Sequence, residues 1–234
     1  MPEVIYTFQR KEMKFVLNQE DFDFLFALVS EHMDGDTYPH YRIRSWYYDT
    51  PSRLVARENE GHPKYKAKLR YRIYVDAEKS PQFLEMKSKL NGVTYKRRIK
   101  VHSFEGALEE AMQGESQIAK EIAYFIKTHP GLKPSLAITY DRFAFHDDHS
   151  DLRITFDRDV FAGVVPLVEP NQYILEVKTS VALPWWLIRG LESRGLYRRS
   201  FSKFATGNKV SSAIIDASEA DPSHLKYVGK AIIE

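Results

Sequence analysis

The stretch KAKLRYRIYV, residues 66–75, alternates strictly, with Lys66, Lys68, Arg70 and Arg72 at one parity and Ala67, Leu69, Tyr71, Ile73 and Val75 at the other. Successive strand side chains point to opposite faces, so the pattern specifies a strand with one apolar face and one cationic face. Four like charges in one file repel, and a negative partner is expected opposite them.

Composition narrows the setting for that strand. With 234 residues the chain has room for one large domain or two small ones and a sizeable core. The 13% aromatic content, with 14 Tyr and 14 Phe, favours strands. Net charge is only +2, so a basic surface must arise by segregation along the chain rather than from overall excess. The absence of cysteine excludes disulfides, thiolate metal sites and cysteine nucleophiles, and fits a reducing compartment. MPEVIYTFQRKEMKF carries charges where a signal peptide needs an apolar run, and VALPWWLI is far shorter than the roughly 20 residues of a membrane helix. A cytoplasmic location with no membrane span is the expectation.

Alternation and caps divide the rest. FQRKEMKFVL reads as a strand leading to Asn18, an N-cap for a helix with Glu20 and Asp21 in its first turn and Phe22, Leu25, Phe26 and Val29 on one stripe. YRIRSWYYD reads as a strand, Asp49-Thr50-Pro51 as a helix start with Pro at the first helical position, and Gly61 as its stop. PQFLEMKSKL and VTYKRRIKV flank Asn91-Gly92, a strong hairpin signal. Helices capped by Ser103 and Ser116 follow, ending near His129-Pro130-Gly131. SLAITYDRFAF and DLRITFDRD, joined by HDDHSD, and NQYILEVKTS after a loop with Pro166 and Pro170 are strands; PWWLIRGLESRG is a helix closed by Gly195. The organisation expected is one α+β domain over residues 1–216, mainly antiparallel strands with helices between them, and a weakly patterned tail over 217–234.

The same parity recurs. One side of each strand carries Arg10, Glu12 and Lys14; Glu85, Lys87 and Lys89; Lys96, Arg98 and Lys100; Tyr140 and Arg142; Arg153, Thr155 and Asp157; Glu176 and Lys178. Arg97 breaks the apolar face of its own strand. Such faces are ordinarily the solvated side of an open antiparallel sheet, but solvated faces mix both signs, and the file at 66–72 holds no acid. Closed into a barrel, the strands would direct these faces into a shared cationic interior, with helices over the apolar outside. Arg and Lys together suit a chain of phosphates. Glu176, with Glu12, Glu85 or Asp157, would hold Mg²⁺ or Mn²⁺, hard cations that prefer oxygen and bridge phosphates.

Lys14-Phe15, KLRYRIY, FLEMK, YKRR, Tyr140-x-Arg142, LRITFD, YILEVK and RSFSKFATG, in this order from about residue 8 to 210, resemble the VTC domain, the polyphosphate polymerase module of the vacuolar transporter chaperone complex. The resemblance implies the triphosphate tunnel metalloenzyme (CYTH-like) fold, an antiparallel eight-stranded barrel tunnel with flanking helices. It implies transfer of the terminal phosphate of ATP onto polyphosphate, with Mn²⁺ or Mg²⁺. Carried onto this sequence, Lys14, Arg70, Arg72, Lys87, Arg142 and Lys203 would be catalytic; Arg10, Lys68, Lys89, Lys96, Arg98, Tyr140, Arg153, Lys178 and Ser202 would bind substrate; Glu176, Glu12, Glu85 and Asp157 would be the metal carboxylates. Many hydrolytic tunnel enzymes carry Glu-x-Glu-x-Lys on the first strand, whereas this chain has Arg10-x-Glu12-x-Lys14, which disfavours a two-metal hydrolysis of inorganic triphosphate or pyrophosphate.

His146, Asp147, Asp148 and His149 read as a polar hairpin turn rather than a metal site. Trp185-Trp186 reads as a helix start that packs inward rather than a docking patch. No GxxxxGKS or GxGxxG occurs, so any nucleotide site is neither P-loop nor Rossmann. Basic strands interleaved with Tyr resemble an RNA-binding surface, but the low net charge argues against a nucleic-acid partner. A non-enzymatic binder of phosphate polymers is the third function class.

Overall fold

The structure, a computed structural model, describes residues 11–220 apart from 62, 76–80, 92, 148 and 150. Its elements are β1 (Lys11–Leu17), α1 (Gln19–His32), β2 (Asp34–Asp49), α2 (Leu54–Glu58), β3 (Tyr65–Tyr74), β4 (Gln82–Leu90), β5 (Val93–Val101), α3 (Ala107–Gln113), α4 (Gln117–Thr128), β6 (Lys133–Asp147), β7 (Leu152–Ala162), β8 (Val165–Pro166), β9 (Tyr173–Thr179), α5 (Trp185–Ser193) and α6 (Lys203–Ala220). The protein is α+β. Strands follow the order β1-β9-β7-β6-β2-β3-β4-β5, with β8 on β7, and every pairing with a described register is antiparallel.

The chain condenses into two compact units. The first comprises residues 1–41, 141–159 and 168–201, and the second residues 42–140, 160–167 and 202–234. In the first, Asn18 caps α1 as expected, its Oδ1 accepting from the Asp21 N–H at 2.8 Å. The predicted stripe meets β7 and β9: Phe22 stacks on Tyr173 at 3.9 Å and meets Phe156 edge-on at 5.5 Å. Leu25, Val29, Phe156 and Leu175 are fully buried, each worth about 1.5–3 kcal/mol. Trp186 joins this core and stacks on His32 at 4.5 Å. Trp185 stays 63% exposed, with the Arg189 guanidinium 5.0 Å from its ring.

In the second unit, Leu69 and Leu84 on β3 and β4, with Ile122 on α4, are removed from solvent. The apolar faces of these strands are therefore buried, while helices α3 and α4 contribute Ala107, Ala111, Ala119 and Phe125 to the same core. Arg97, which interrupts the apolar side of β5, reaches Glu121 of α4 at 2.6 Å. Asn91 turns the β4–β5 hairpin at φ 48°; its partner Gly92 lies outside the described residues.

Two helix starts fall later than the sequence indicated. Asp49 does supply capping chemistry, but across a turn. Its carboxylate accepts from Thr50, Val55 and Ala56 N–H groups at 2.7, 2.8 and 3.0 Å, so Pro51 sits in the turn and the helix begins at Leu54. Ser103 accepts from the Gly106 N–H at 3.0 Å, which closes the turn that precedes α3. Ser116 caps α4 directly, accepting from Ala119 at 3.1 Å. Helix α6 was not foreseen. Phe204 is buried, and a Cβ on Gly207 would come within 3.0 Å of Leu136. It extends through the start of the expected 217–234 tail, whose remainder, 221–234, lies outside the described residues.

Candidate functional site

Register turns the charged parities into a grid. On the second unit, β3, β4 and β5 align Lys66 with Lys89, Lys68 with Lys87 and Lys96, Arg70 with Glu85 and Arg98, and Arg72 with Phe83 and Lys100. In these rows Glu85 is the only acid. Three lysines side by side across adjacent strands are an unfavourable arrangement for a face with no ligand, since like charges directly opposite destabilise a sheet.

Glu85 is 1% exposed and serves as the hub of this face. Its Oε2 accepts from Arg70 Nε and Nη2 at 3.0 and 2.7 Å, and its Oε1 lies 2.7 Å from Lys96 Nζ. Arg72 and Arg98 are at 3.7 and 3.9 Å. Burial opposes ionisation, but Arg70, Arg72 and Lys96 outweigh it and hold the carboxyl well below the usual range. Lys96 moves down, through burial of its ammonium and repulsion from Arg70 and Arg72, against the pull of Glu85. Arg72 donates to Ser45 Oγ and to Tyr140 Oη, both at 3.0 Å. Lys203, at the start of α6, lies 4.6 Å from the Tyr140 ring centre. Ser202 accepts from Ala205 N–H at 3.3 Å as the cap of that helix, and its hydroxyl hydrogen remains available to donate. Thus Lys68, Arg70, Arg72, Glu85, Lys87, Lys89, Lys96, Arg98, Tyr140, Ser202 and Lys203 belong to one unit.

The first unit carries the others. Across β1, β9 and β7, Glu12 faces Lys178, which faces Arg153; Lys14 faces Glu176, which faces Thr155. Here the signs alternate. Lys14 contacts Glu12 at 2.9 Å and donates to the Phe201 carbonyl at 3.0 Å. Lys178 contacts Glu176 at 2.8 Å. Arg142 grips Asp157 with two hydrogen bonds of 2.6 and 2.7 Å and lies 3.8 Å from Glu176. Burial lowers Lys14, but Glu176, Glu12 and Asp157 together raise it above the ordinary lysine value. Lys178 is shifted down by burial and by Arg142, despite Glu176. Arg153 pairs with Asp36 at 2.6 Å, a partner from β2 that no local pattern announced. Arg10 lies outside the described residues.

Among the described residues no three His, Cys, Asp or Glu side chains form a ready metal cage. The first unit nevertheless fits a hard cation that brings phosphate oxygens as further ligands. Glu176 and Asp157 stand with Thr155, whose hydroxyl is buried without a hydrogen-bond partner and lies opposite Glu176 in the register. Mg²⁺ characteristically takes one or two protein carboxylates and completes its shell with phosphate and water. Glu85, enclosed by cations in the other unit, is an ion-pair hub there.

Sequence reasoning passed over Tyr47. It lies opposite Arg70 in the β2–β3 register and accepts from Arg70 Nη1 at 2.9 Å. Parity on YRIRSWYYD supports placing it with Ser45 and Asp49, but only the register shows that this parity shares a face with Arg70.

A large antiparallel sheet with helices, presenting Arg, Lys and carboxylate groups in ordered rows, defines the class: a CYTH-like protein of the triphosphate tunnel fold. Similar solved structures include a Vibrio parahaemolyticus protein provisionally described as an adenylate cyclase, at 13% identity and a TM-score of 0.50 over 86% of this chain and 98% of that one. A Bacillus halodurans protein with the same provisional description has 13% identity and a TM-score of 0.53 over 83% and 95%. The family model for the VTC domain matches residues 9–212, and the chain belongs to that family. No curated protein matches it. Members of this fold are often enzymes and typically use divalent metals.

Proposed function

We propose that the protein is an ATP-dependent polyphosphate polymerase. A terminal oxygen of the acceptor chain attacks the γ-phosphorus of ATP, the bond from that phosphorus to the ADP oxygen breaks, and the chain grows by one phosphate. The observation that carries this is the lysine row Lys68–Lys87–Lys96 beside Arg70 and Arg72, whose side-by-side positive charges a multivalent anion would offset. VTC-family membership favours polyphosphate as that anion.

No protein nucleophile is needed, because the acceptor is itself a phosphate; catalysis consists of positioning and charge stabilisation. The cations of β3, β4 and β5 bind phosphate oxygens, with Arg70 and Arg72 held rigid by Glu85, Ser45 and Tyr140. Within the first unit, Arg142, held by Asp157, and Lys14 and Lys178, held beside Glu176, would themselves offer positive charge to phosphate oxygens. Glu176 and Asp157, with Thr155, would hold Mn²⁺ or Mg²⁺, which when bound neutralises phosphate charge and orients the oxygens. A reducing, ATP-containing compartment such as the cytosol suits this activity.

Incubating the purified protein with ATP and Mn²⁺ and resolving the products on a gel tests the proposal. Long phosphate chains are expected, and Glu176→Gln should abolish them while leaving metal-independent anion binding intact. Release of free phosphate alone would make the protein a triphosphatase; tight, salt-sensitive binding without turnover would make it a phosphate-polymer binder.

A further inference from the structure

The phenol of Tyr47 has no role in the scheme above, yet its surroundings are unusual. The side chain is 4% exposed. Its ring lies 4.9 Å from Phe204 of α6, and the Ser135 hydroxyl of β6 donates to its backbone carbonyl at 3.2 Å, so the phenol is fixed in place. Arg70 donates two of its hydrogen bonds to Glu85 Oε2 and a third, from Nη1, to Tyr47 Oη. The phenol oxygen therefore stands as an acceptor toward a guanidinium.

We propose that Tyr47 is a residue of the phosphate-binding face and that its hydroxyl exchanges a proton with solvent as the anion comes and goes. The inference rests on the reading of that face as a phosphate site. In the empty site the Tyr47 oxygen is the acceptor that offsets part of the cationic excess. When a phosphate chain occupies the face, the chain takes over that task, and the Tyr47 oxygen takes one proton from solvent; no other bond is made or broken.

The groups around the phenol support this. From β3 come Lys68, Arg70 and Arg72, the last of which also donates to Tyr140 of β6; from β4 comes Glu85, engaged by Arg70; Ser135 of β6 holds the Tyr47 backbone carbonyl; and α6 sets Phe204 against the ring. Burial alone would push the phenol up, but the charges of Arg70, Lys68 and Arg72 win and bring it down to about 7. Glu85 cannot respond in this range, because the same cations hold it far below neutrality. A bound polyanion cancels those cationic fields and returns the phenol toward its ordinary value, so above about pH 7 binding adds one proton at Tyr47. Lys96 of the same face, itself brought down to about 7, also gains charge with the anion, but does so equally in Tyr47→Phe, so the difference between the two proteins reports Tyr47 alone.

The test uses tripolyphosphate as the probe, with the wild type and Tyr47→Phe compared. Relative to Tyr47→Phe, the wild type should lose about tenfold in affinity between about pH 6 and pH 8, the result of a single linked proton. Near-ultraviolet absorbance of the wild type at about pH 8 should show a tyrosinate band that tripolyphosphate removes. Tyr48, Tyr65 and Tyr71 are all shifted upward by burial and nearby negative charge, so they do not contribute to that band. The absorbance change needs no variant and stands even if Tyr47→Phe folds poorly. Tight binding with no tyrosinate change, or with the same pH profile in both proteins, would overturn the role of Tyr47 and leave the phosphate site standing. Failure of both proteins to bind tripolyphosphate at any pH would overturn the phosphate site and this inference with it.

Discussion

Replacing Glu85 by Gln removes the one negative charge from the cationic rows while keeping the volume. The loss is dominated by Arg70 and Arg72, whose side chains are 15% and 7% exposed. Removing one partner of a buried ion pair costs about 3–5 kcal/mol, because the remaining charge is left uncompensated. Lys96 and Arg98, at 47% and 44% exposure, are screened by solvent and add less than about 1 kcal/mol between them. The expected loss is therefore about 3–5 kcal/mol in the unliganded protein, a large share of the 5–15 kcal/mol typical of a folded domain. Urea unfolding at neutral pH and low salt measures it. Tripolyphosphate should restore more stability to Glu85→Gln than to the wild type, because the anion replaces the missing charge; saturation at about 100 times Kd supplies about 2.7 kcal/mol by mass action alone. The sign with pH also follows. The Glu85 carboxyl is lowered in the folded state, so its contribution is fully present above the unfolded value of about 4.3 and is lost as pH falls toward the folded one. The wild type and Glu85→Gln should thus converge in strong acid and differ most near neutrality. Equal urea midpoints for the two proteins, or equal stabilisation of both by tripolyphosphate, would refute the hub assignment.

Lys87→Met, at the centre of the lysine row, should weaken tripolyphosphate binding by about 10–100-fold, the worth of a charge-assisted hydrogen bond, as measured by calorimetry. Asp49→Ala, which frees the Thr50, Val55 and Ala56 N–H groups, should lower stability by about 1–3 kcal/mol in thermal melts with ligand affinity little changed. Arg97→Ala breaks the half-exposed pair with Glu121; less than about 1 kcal/mol of stability and no anion affinity should be lost, so it serves as the charge-matched control for Lys87→Met.

The strands of this fold were legible because their period survives burial: Lys68, Arg70 and Arg72 on one face and Ala67 and Leu69 on the other are assigned by alternation alone. Asn18 and Ser116 were equally readable, since their side chains cap residues three positions on. The later starts of α2 and α3 were not, because Asp49 caps across a turn that includes Arg53 at φ 56°, a geometry that no fixed spacing encodes. Pairings between distant segments were also hidden. Arg153 finds Asp36 across 117 residues, and Tyr47 meets Arg70 only through the β2–β3 register. Parity assigned residues to faces, but it gave Glu85 and Glu176 the same role. Register separates them: Glu85 lies between two arginines, whereas Glu176 lies between Lys14 and an unpartnered threonine.

That separation has a consequence for how metal and phosphate interact. On the first unit Glu12, Glu176 and Asp157 already occupy Lys14, Lys178 and Arg142, so an incoming phosphate must displace a carboxylate to win each cation. Glu176 and Asp157, were they to hold a divalent cation, would leave Lys178 and Arg142 to phosphate oxygens and so relieve that competition. In the rows of the second unit the cations outnumber the single acid, so on the proposed reading phosphate would bind there with or without metal. Tripolyphosphate binding should therefore divide into a chelator-resistant part and a part that returns only with Mn²⁺. Calorimetry on Lys87→Met should show loss of the chelator-resistant part, and on Glu176→Gln loss of the Mn²⁺-dependent increment with the chelator-resistant part intact. Binding that is wholly abolished by chelator, or an Mn²⁺ increment that survives Glu176→Gln, would show that the two charge patterns do not divide the work in this way.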